Sequence, residues 1–164
     1  MQLEEKTLKD KLTNAYNRVF FENNYQRLIE TFKSEDMYFG LAMIDIDNFK
    51  NINDSYGHNI GDEILINLVS IINKFSRNDD ILIRWGGEEF IIILKVSSEN
   101  RLNVILENIR KTIEKSKIDG LPTITCSFGG TIYENNEQIN DTIKRADEAL
   151  YIAKANGKNK VILK

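Results

Sequence analysis

The sequence predicts an α+β fold, a ferredoxin-like βαββαβ core with extra helices and a hairpin. Three observations carry that prediction. Apolar, β-branched runs alternate with segments whose apolar residues recur at helical spacing, in the order helix–strand–helix–hairpin–helix–strand–helix–strand. Two of the strand runs flank adjacent glycines, Gly86-Gly87, which read as a tight hairpin turn. With 164 residues, 41% of them hydrophobic, the chain suits one domain with a core of its own.

Taken in order, residues 1–11 are rich in charge, with Leu3, Leu8 and the following Leu12 at roughly helical spacing, and read as an N-terminal helical linker before a domain spanning 12–164. Thr13 or Asn14 is placed as the N-cap of a first helix containing Val19, Phe20, Leu28, Ile29 and Phe32. Tyr38 to Ile44 reads as a buried strand that ends in Asp45-Ile46-Asp47. A short polar helix or turn follows, in which Lys50, Asn53, Asp54 and His58 are residue types common in any loop. Ile64, Leu65, Leu68, Val69, Ile72 and Phe75 mark a core-facing amphipathic helix, and Ser76 to Asp80 a polar loop.

The hairpin follows, Ile81-Leu82-Ile83 before the glycines and Phe90 to Leu94 after, with the glycines expected to supply positive φ angles. Leu102, Ile105, Leu106, Ile109 and Ile113 trace another helix. Gly120 and Pro122 bound a loop before the alternating strand Thr123 to Tyr133. The last helix runs from Gln138 to Ala155 with Gly157 as its C-cap, and Asn159 to Leu163 closes the sheet.

A net charge of −3 gives the chain no general attraction for nucleic acid or an anionic membrane. The single cysteine, Cys126, excludes an internal disulfide and, lying in an apolar run, reads as a buried structural thiol. No stretch approaches the roughly 20 apolar residues of a membrane helix, and none reads as a signal peptide. The expectation is a soluble, cytoplasmic chain.

Carboxylates at the end of a buried strand are costly unless paired or bound to a cation. Should the strand ends bearing Asp45 and Glu88-Glu89 be neighbours in the sheet, they would form an all-oxygen site of the kind hard Mg²⁺ prefers, and two-metal phosphoryl chemistry would suit it. Glu88 and Glu89 alone are equally consistent with solvated turn residues, and as successive strand residues they should not share one orientation.

Six stretches in register resemble one family. Leu12-Thr13 with Asn17-Arg18, Asp45-Ile46-Asp47-Asn48-Phe49-Lys50, Ile52-Asn53-Asp54-Ser55-Tyr56-Gly57-His58, Gly61-Asp62, Gly86-Gly87-Glu88-Glu89-Phe90, and Ala146 to Asn159 are similar to the GGDEF domain of diguanylate cyclases, in its GGEEF variant. The resemblance covers residues 10 to 164. It implies the palm-type core of nucleotidyl cyclases and polymerases, and condensation of two GTP into cyclic di-GMP and two pyrophosphates across a homodimer.

By the same resemblance, Asp45, the Ile46 carbonyl and Glu88 hold Mg²⁺ (or Mn²⁺), with Glu88, Glu89 and Lys50 catalytic. Asn53, His58 and Asp62 lie at the guanine pocket, Lys154 and Lys158 reach the triphosphate, Arg77 with Asp80 forms an inhibitory product site, and Arg84 adds charge stabilisation. An upstream sensor or receiver domain is implied, but neither nucleic-acid binding nor membrane insertion by this chain. The sequence departs from the family at Asn14, Ala15, Trp85 and Lys158, where glycine, a larger apolar residue, tyrosine or phenylalanine, and arginine are more usual. Two other readings stay open, a nucleotide-binding module without chemistry and a different purine cyclase on the same core.

Overall fold

The computed structural model describes residues 7–164, and five strands and five helices are formed within them. In chain order these are α1 (Arg18–Ser34), β1 (Tyr38–Ile46), α2 (Phe49–Tyr56), α3 (His58–Asn73), β2 (Ile81–Gly86), β3 (Glu89–Val96), α4 (Glu99–Lys115), β4 (Cys126–Ile132), α5 (Ile139–Ala155) and β5 (Val161–Leu163). The sheet order is β2-β3-β1-β4-β5. Strands β1 to β4 pair antiparallel in the order of a split βαβ core, and β5 joins β4 in parallel at the edge.

Alternation along the strands builds two cores, one on each face of the sheet. Ala42, Ile44 and Ile46 of β1, with Phe90, Ile92 and Leu94 of β3, pack against Ile64, Leu68 and Ile72 of α3 and Leu102, Leu106 and Ile109 of α4. The intervening residues Leu41, Met43, Ile91 and Ile93 face Phe21, Leu28 and Phe32 of α1 and Ala146 and Leu150 of α5. A strand covered on both faces needs a continuous apolar run, which is why Tyr38 to Ile46 shows no polar alternation until Asp45. Gly129 of β4 admits α5 closely: a Cβ there would meet the Ala146 carbonyl oxygen at 2.1 Å.

Three sequence expectations change. Residues 1–6 of the expected linker lie outside the described residues; residues 7–11 are not helical. Lys9 bridges Tyr16, and Asp10 accepts hydrogen bonds from the Thr13 amide (2.9 Å) and hydroxyl (2.7 Å). That turn occupies Thr13, so the N-cap of α1 is Asn17, whose side chain accepts from Phe20 N–H. At the hairpin, Gly86 and Gly87 are absent from the positive-φ residues; β2 instead shifts register between Arg84 and Gly86, and the turn spans Gly87 and Glu88. Both glycines leave open space, with nothing within 4 Å of where a Cβ would stand.

Candidate active site

The antiparallel register of β1 and β3 sets Asp45 directly opposite Glu89. Residues so paired have Cβ atoms about 5 Å apart, and two like charges there repel. Asp45 is buried, and burial, the largest effect, pushes its carboxyl up to about 6. A hydrogen bond and the charge of Lys154 pull it down, while the charges of Glu88 and Glu89 push it up. Both glutamates therefore act on the same carboxyl, although one lies in the turn and the other begins β3.

Lys154, on the last turn of α5, places Nζ 3.1 Å from Asp45 Oδ2. The other oxygen, Oδ1, is buried with no hydrogen-bond partner. A buried acceptor left in this state costs roughly 1–3 kcal/mol, so it marks a place where a donor or cation belongs. The expected all-oxygen cluster is only part-formed: among the described residues no three His, Cys, Asp or Glu side chains meet as a metal group. Lys154 supplies the positive charge there.

Asp47, two residues on, is also buried but has a full set of partners. Thr125 Oγ1 and Ser127 Oγ each donate to its carboxylate at 2.7 Å, and the Asn159 amide donates at 2.9 Å. It ties β1 to β4 and to the loop after α5, an anchoring role the sequence did not reveal. The available signal was the alternation of Thr125, just before β4, and Ser127 on it, two hydroxyls facing an acid.

Lys158 lies in that loop and donates to Asn48 Oδ1 at 2.5 Å. Lys154, Lys158, Asp45, Glu88 and Glu89 thus share one end of the sheet. Lys50 is exposed on the first turn of α2. Asn53 sits on the last turns of α2, while His58 opens α3 and Asp62 follows one turn later, both exposed. Gly61 lets α3 pass the Asn53 amide, since a Cβ would lie 1.9 Å from Asn53 Oδ1. That oxygen is the second buried acceptor without a partner.

Arg84 does not extend into this cluster. Its guanidinium donates to the Gly87 carbonyl (2.9 and 3.1 Å) and pairs with Asp10 at 3.1 Å, holding the turn against the N-terminal segment. Trp85 is covered by Arg18, whose guanidinium lies 3.9 Å from the ring centroid. Arg77 and Asp80 lie at the other end of β2, roughly 20 Å of strand from the glycines. Asp80 accepts from the Arg77 amide at 2.9 Å, closing the loop on itself, and the Arg77 side chain is exposed. A cavity of about 490 Å³ between α1 and the loop before α5 includes none of the carboxylates at the glycine turn. No helix among the described residues is long and apolar enough to cross a membrane.

Residues 7–160 match the family described as Diguanylate cyclase, GGDEF domain. Diguanylate cyclase DgcM of Escherichia coli strain K12 is 37% identical over 165 residues, which cover 98% of this chain and 39% of that protein. Diguanylate cyclase A of Treponema denticola is 38% identical over 169 residues, covering 99% of this chain and 46% of its own length. The chain therefore spans less than half the length of these relatives. The GGDEF domain of DgcB from Caulobacter crescentus, solved in complex with c-di-GMP, is 30% identical with a TM-score of 0.89, over 99% of this chain and 98% of that one. The active GGEEF domain of a diguanylate cyclase from Vibrio cholerae is 31% identical with a TM-score of 0.73, over 84% and 94% of the two chains.

Proposed function

The chain belongs to the GGDEF family of diguanylate cyclase domains, and from that premise we propose that it condenses two GTP into cyclic di-GMP and two pyrophosphates. The observation that carries this reading is Asp45, buried opposite Glu89 beside an open glycine turn, with one oxygen unpartnered. An orphaned carboxylate oxygen among hard oxygen donors fits Mg²⁺ or Mn²⁺, which Asp45, the Ile46 carbonyl and Glu88 would hold. When bound, the ion supplies charge that activates a hydroxyl and stabilises phosphate oxygens.

The chain's own groups have separate tasks. Asn53 and Asp62 recognise guanine, with His58 at the same pocket. Guanine presents N1–H and an exocyclic amine side by side, a donor pair that matches the buried Asn53 oxygen and the Asp62 carboxylate and a pattern that adenine cannot offer. Lys154 and Lys158 bind triphosphate oxygens, and Lys50 offsets the charge that develops on the phosphate under attack. Glu88 takes the proton from the 3′-hydroxyl of one GTP as that oxygen attacks the α-phosphate of the other, with Glu89 supporting it. Pyrophosphate leaves. A single domain holds one GTP, so two copies face each other with their sites opposed. The cytoplasm, where GTP is available and a free Cys126 stays reduced, suits this role.

Arg77 and Asp80 serve as an inhibitory site for the product, remote from the glycine turn. Incubation of concentrated protein with Mg²⁺ and GTP, ATP or both tests the reading. Cyclic di-GMP from GTP alone is expected, with no product after Glu88→Ala. Nucleotide binding without pyrophosphate release would reduce the chain to a binding module, and a product from ATP would make it a different cyclase. Arg77→Ala is expected to relieve inhibition by added cyclic di-GMP; unchanged inhibition would remove the Arg77–Asp80 assignment.

A further inference from the structure

Lys158 carries a compact charge on a flexible stem, where an arginine would carry a planar fork, yet the structure holds this lysine at both ends. Its backbone lies in a left-handed stretch, with φ of 109° at Gly157, 64° at Lys158 and 47° at Asn159. Lys158 N–H donates to the Ala153 carbonyl at 3.0 Å, closing the end of α5. The Asn159 amide is tied to Asp47 at 2.9 Å and to Ser127 Oγ at 3.1 Å. Arg110 and Glu114 of α4 grip the Asn159 side chain, each at 2.9 Å. Beyond this anchored backbone, Lys158 Nζ reaches across to Asn48 Oδ1.

Asn48 is free for that contact. It precedes α2 with a φ of 57°, in the N-cap position, but its side chain makes no capping hydrogen bond. The amide instead meets the loop after α5, where its oxygen accepts from Lys158. An ammonium has three donors. One is spent on Asn48, and two remain for a ligand.

We propose that Asn48 is a positioning residue for triphosphate recognition, orienting the Lys158 ammonium and so replacing the built-in geometry of an arginine. The proposal rests on the reading of Lys158 as a triphosphate contact. Fixing a long side chain before the ligand arrives removes part of the ordering cost of binding. An arginine at 158 would need no such guide, because its guanidinium is planar and presents paired donors by itself.

The test measures binding of guanosine 5′-[α,β-methylene]triphosphate, with Mg²⁺, to the wild-type chain and to Asn48→Gly, Lys158→Met, Lys158→Arg and the double variant Asn48→Gly/Lys158→Arg. Glycine suits the φ of 57° at position 48, so Asn48→Gly removes the amide without straining the loop. Asn48→Gly is expected to raise the Kd roughly three- to ten-fold, the scale of one lost charge-assisted contact. Guanosine, which has no phosphates, is expected to bind both chains equally, and Lys158→Arg is expected to restore affinity in the Asn48→Gly background. Equal Kd values for wild type and Asn48→Gly would overturn the proposal, as would equal losses for guanosine and triphosphate, or a failure of Lys158→Arg to rescue. No effect of Lys158→Met on the Kd would remove the contact on which it rests. A wild-type chain that does not bind the analogue removes the functional reading as well, which separates the two failures.

Discussion

Asp45 and Asp47 stand two residues apart at the end of one strand, both buried, and the protein treats them in opposite ways. The Asp47 carboxylate accepts three hydrogen bonds and joins three segments of chain. The Asp45 carboxylate has one lysine, one unpartnered oxygen and two glutamates raising its pKa. A carboxylate whose bonds are all made within the fold contributes stability; one left short of partners has capacity for a ligand. The two side chains come from one Asp-Ile-Asp motif, so the difference lies in what the rest of the chain brings to each. Thr125 and Ser127 arrive at Asp47 at the start of β4, and the glycine turn arrives at Asp45 with more negative charge.

The largest effect expected is on catalysis at Asp45. Asp45→Asn should lower cyclic di-GMP formation by at least about a hundredfold, as losing a principal electrostatic group does. It also removes a buried like charge opposite Glu89, and Lys154, about a third exposed, can turn to water. The melting temperature should therefore stay at or above that of wild type. A drop as large as the one predicted next for Asp47 would break the contrast.

Asp47→Ala should cost stability instead. It strands the hydroxyls of Thr125 and Ser127 and the Asn159 amide, a loss of about 2–4 kcal/mol. Denaturant unfolding reads this directly. Because Asn159 carries the loop of Lys158, the affinity for GTP should fall as well. Unchanged stability would mean that Asp47 is not the anchor its bonds suggest.

What the sequence disclosed divides along the same line. The order of elements was legible because a strand buried on both faces must be an unbroken apolar run, and because four helices carry apolar residues at helical spacing. The acids, the glycine pair and the lysines were legible as chemistry because polar groups stand out beside such runs. Partnerships across 74 to 80 residues were not. Nothing near Asp47 reports that Thr125 and Ser127 will face it, and nothing near Arg84 reports that Asp10 will hold it. A short-range contact explains the misplaced cap of α1: Thr13 is a good capping residue by type, but Asp10 engages it in a turn, leaving the role to Asn17. The glycine pair misled differently. Two glycines suit a turn with positive φ, but here they leave the surface bare and the bulge supplies the bend.

A smaller effect sharpens the comparison at the other unpartnered oxygen. Gly61→Ala would drive a Cβ into Asn53 Oδ1, and the flexible amide must rotate away. A stability loss of about 1–2 kcal/mol is expected, near the low end for overpacking. Preference for GTP over ATP should fall more than affinity for triphosphate itself, because the displaced group is the one proposed to meet the guanine base. Competition binding with the two nucleotides checks this. An unaltered preference would place Asn53 outside base recognition.

Glu137 offers the mildest test and extends the contrast to pH. It is a satisfied acid like Asp47: Arg145 binds it through both terminal nitrogens at 2.7 and 2.8 Å, and Thr142 donates at 2.7 Å. Its carboxyl is held down to about 2, chiefly by the Arg145 hydrogen bonds. A carboxyl with a lower pKa in the folded chain binds fewer protons there than in the unfolded chain. Its contribution is therefore complete above the unfolded value near 4.5 and is lost as the pH falls toward 2. Glu137→Gln should lower the melting temperature at pH 7 by about 3–6 °C, the equivalent of one or two kcal/mol in a domain of this size. The gap between variant and wild type should then narrow steadily below pH 4.5, since protonation makes the native glutamate resemble the amide. A gap that stays constant down to pH 2 would show that packing, not charge, accounts for this contact, and would remove Glu137 from the satisfied acids with which Asp45 is contrasted.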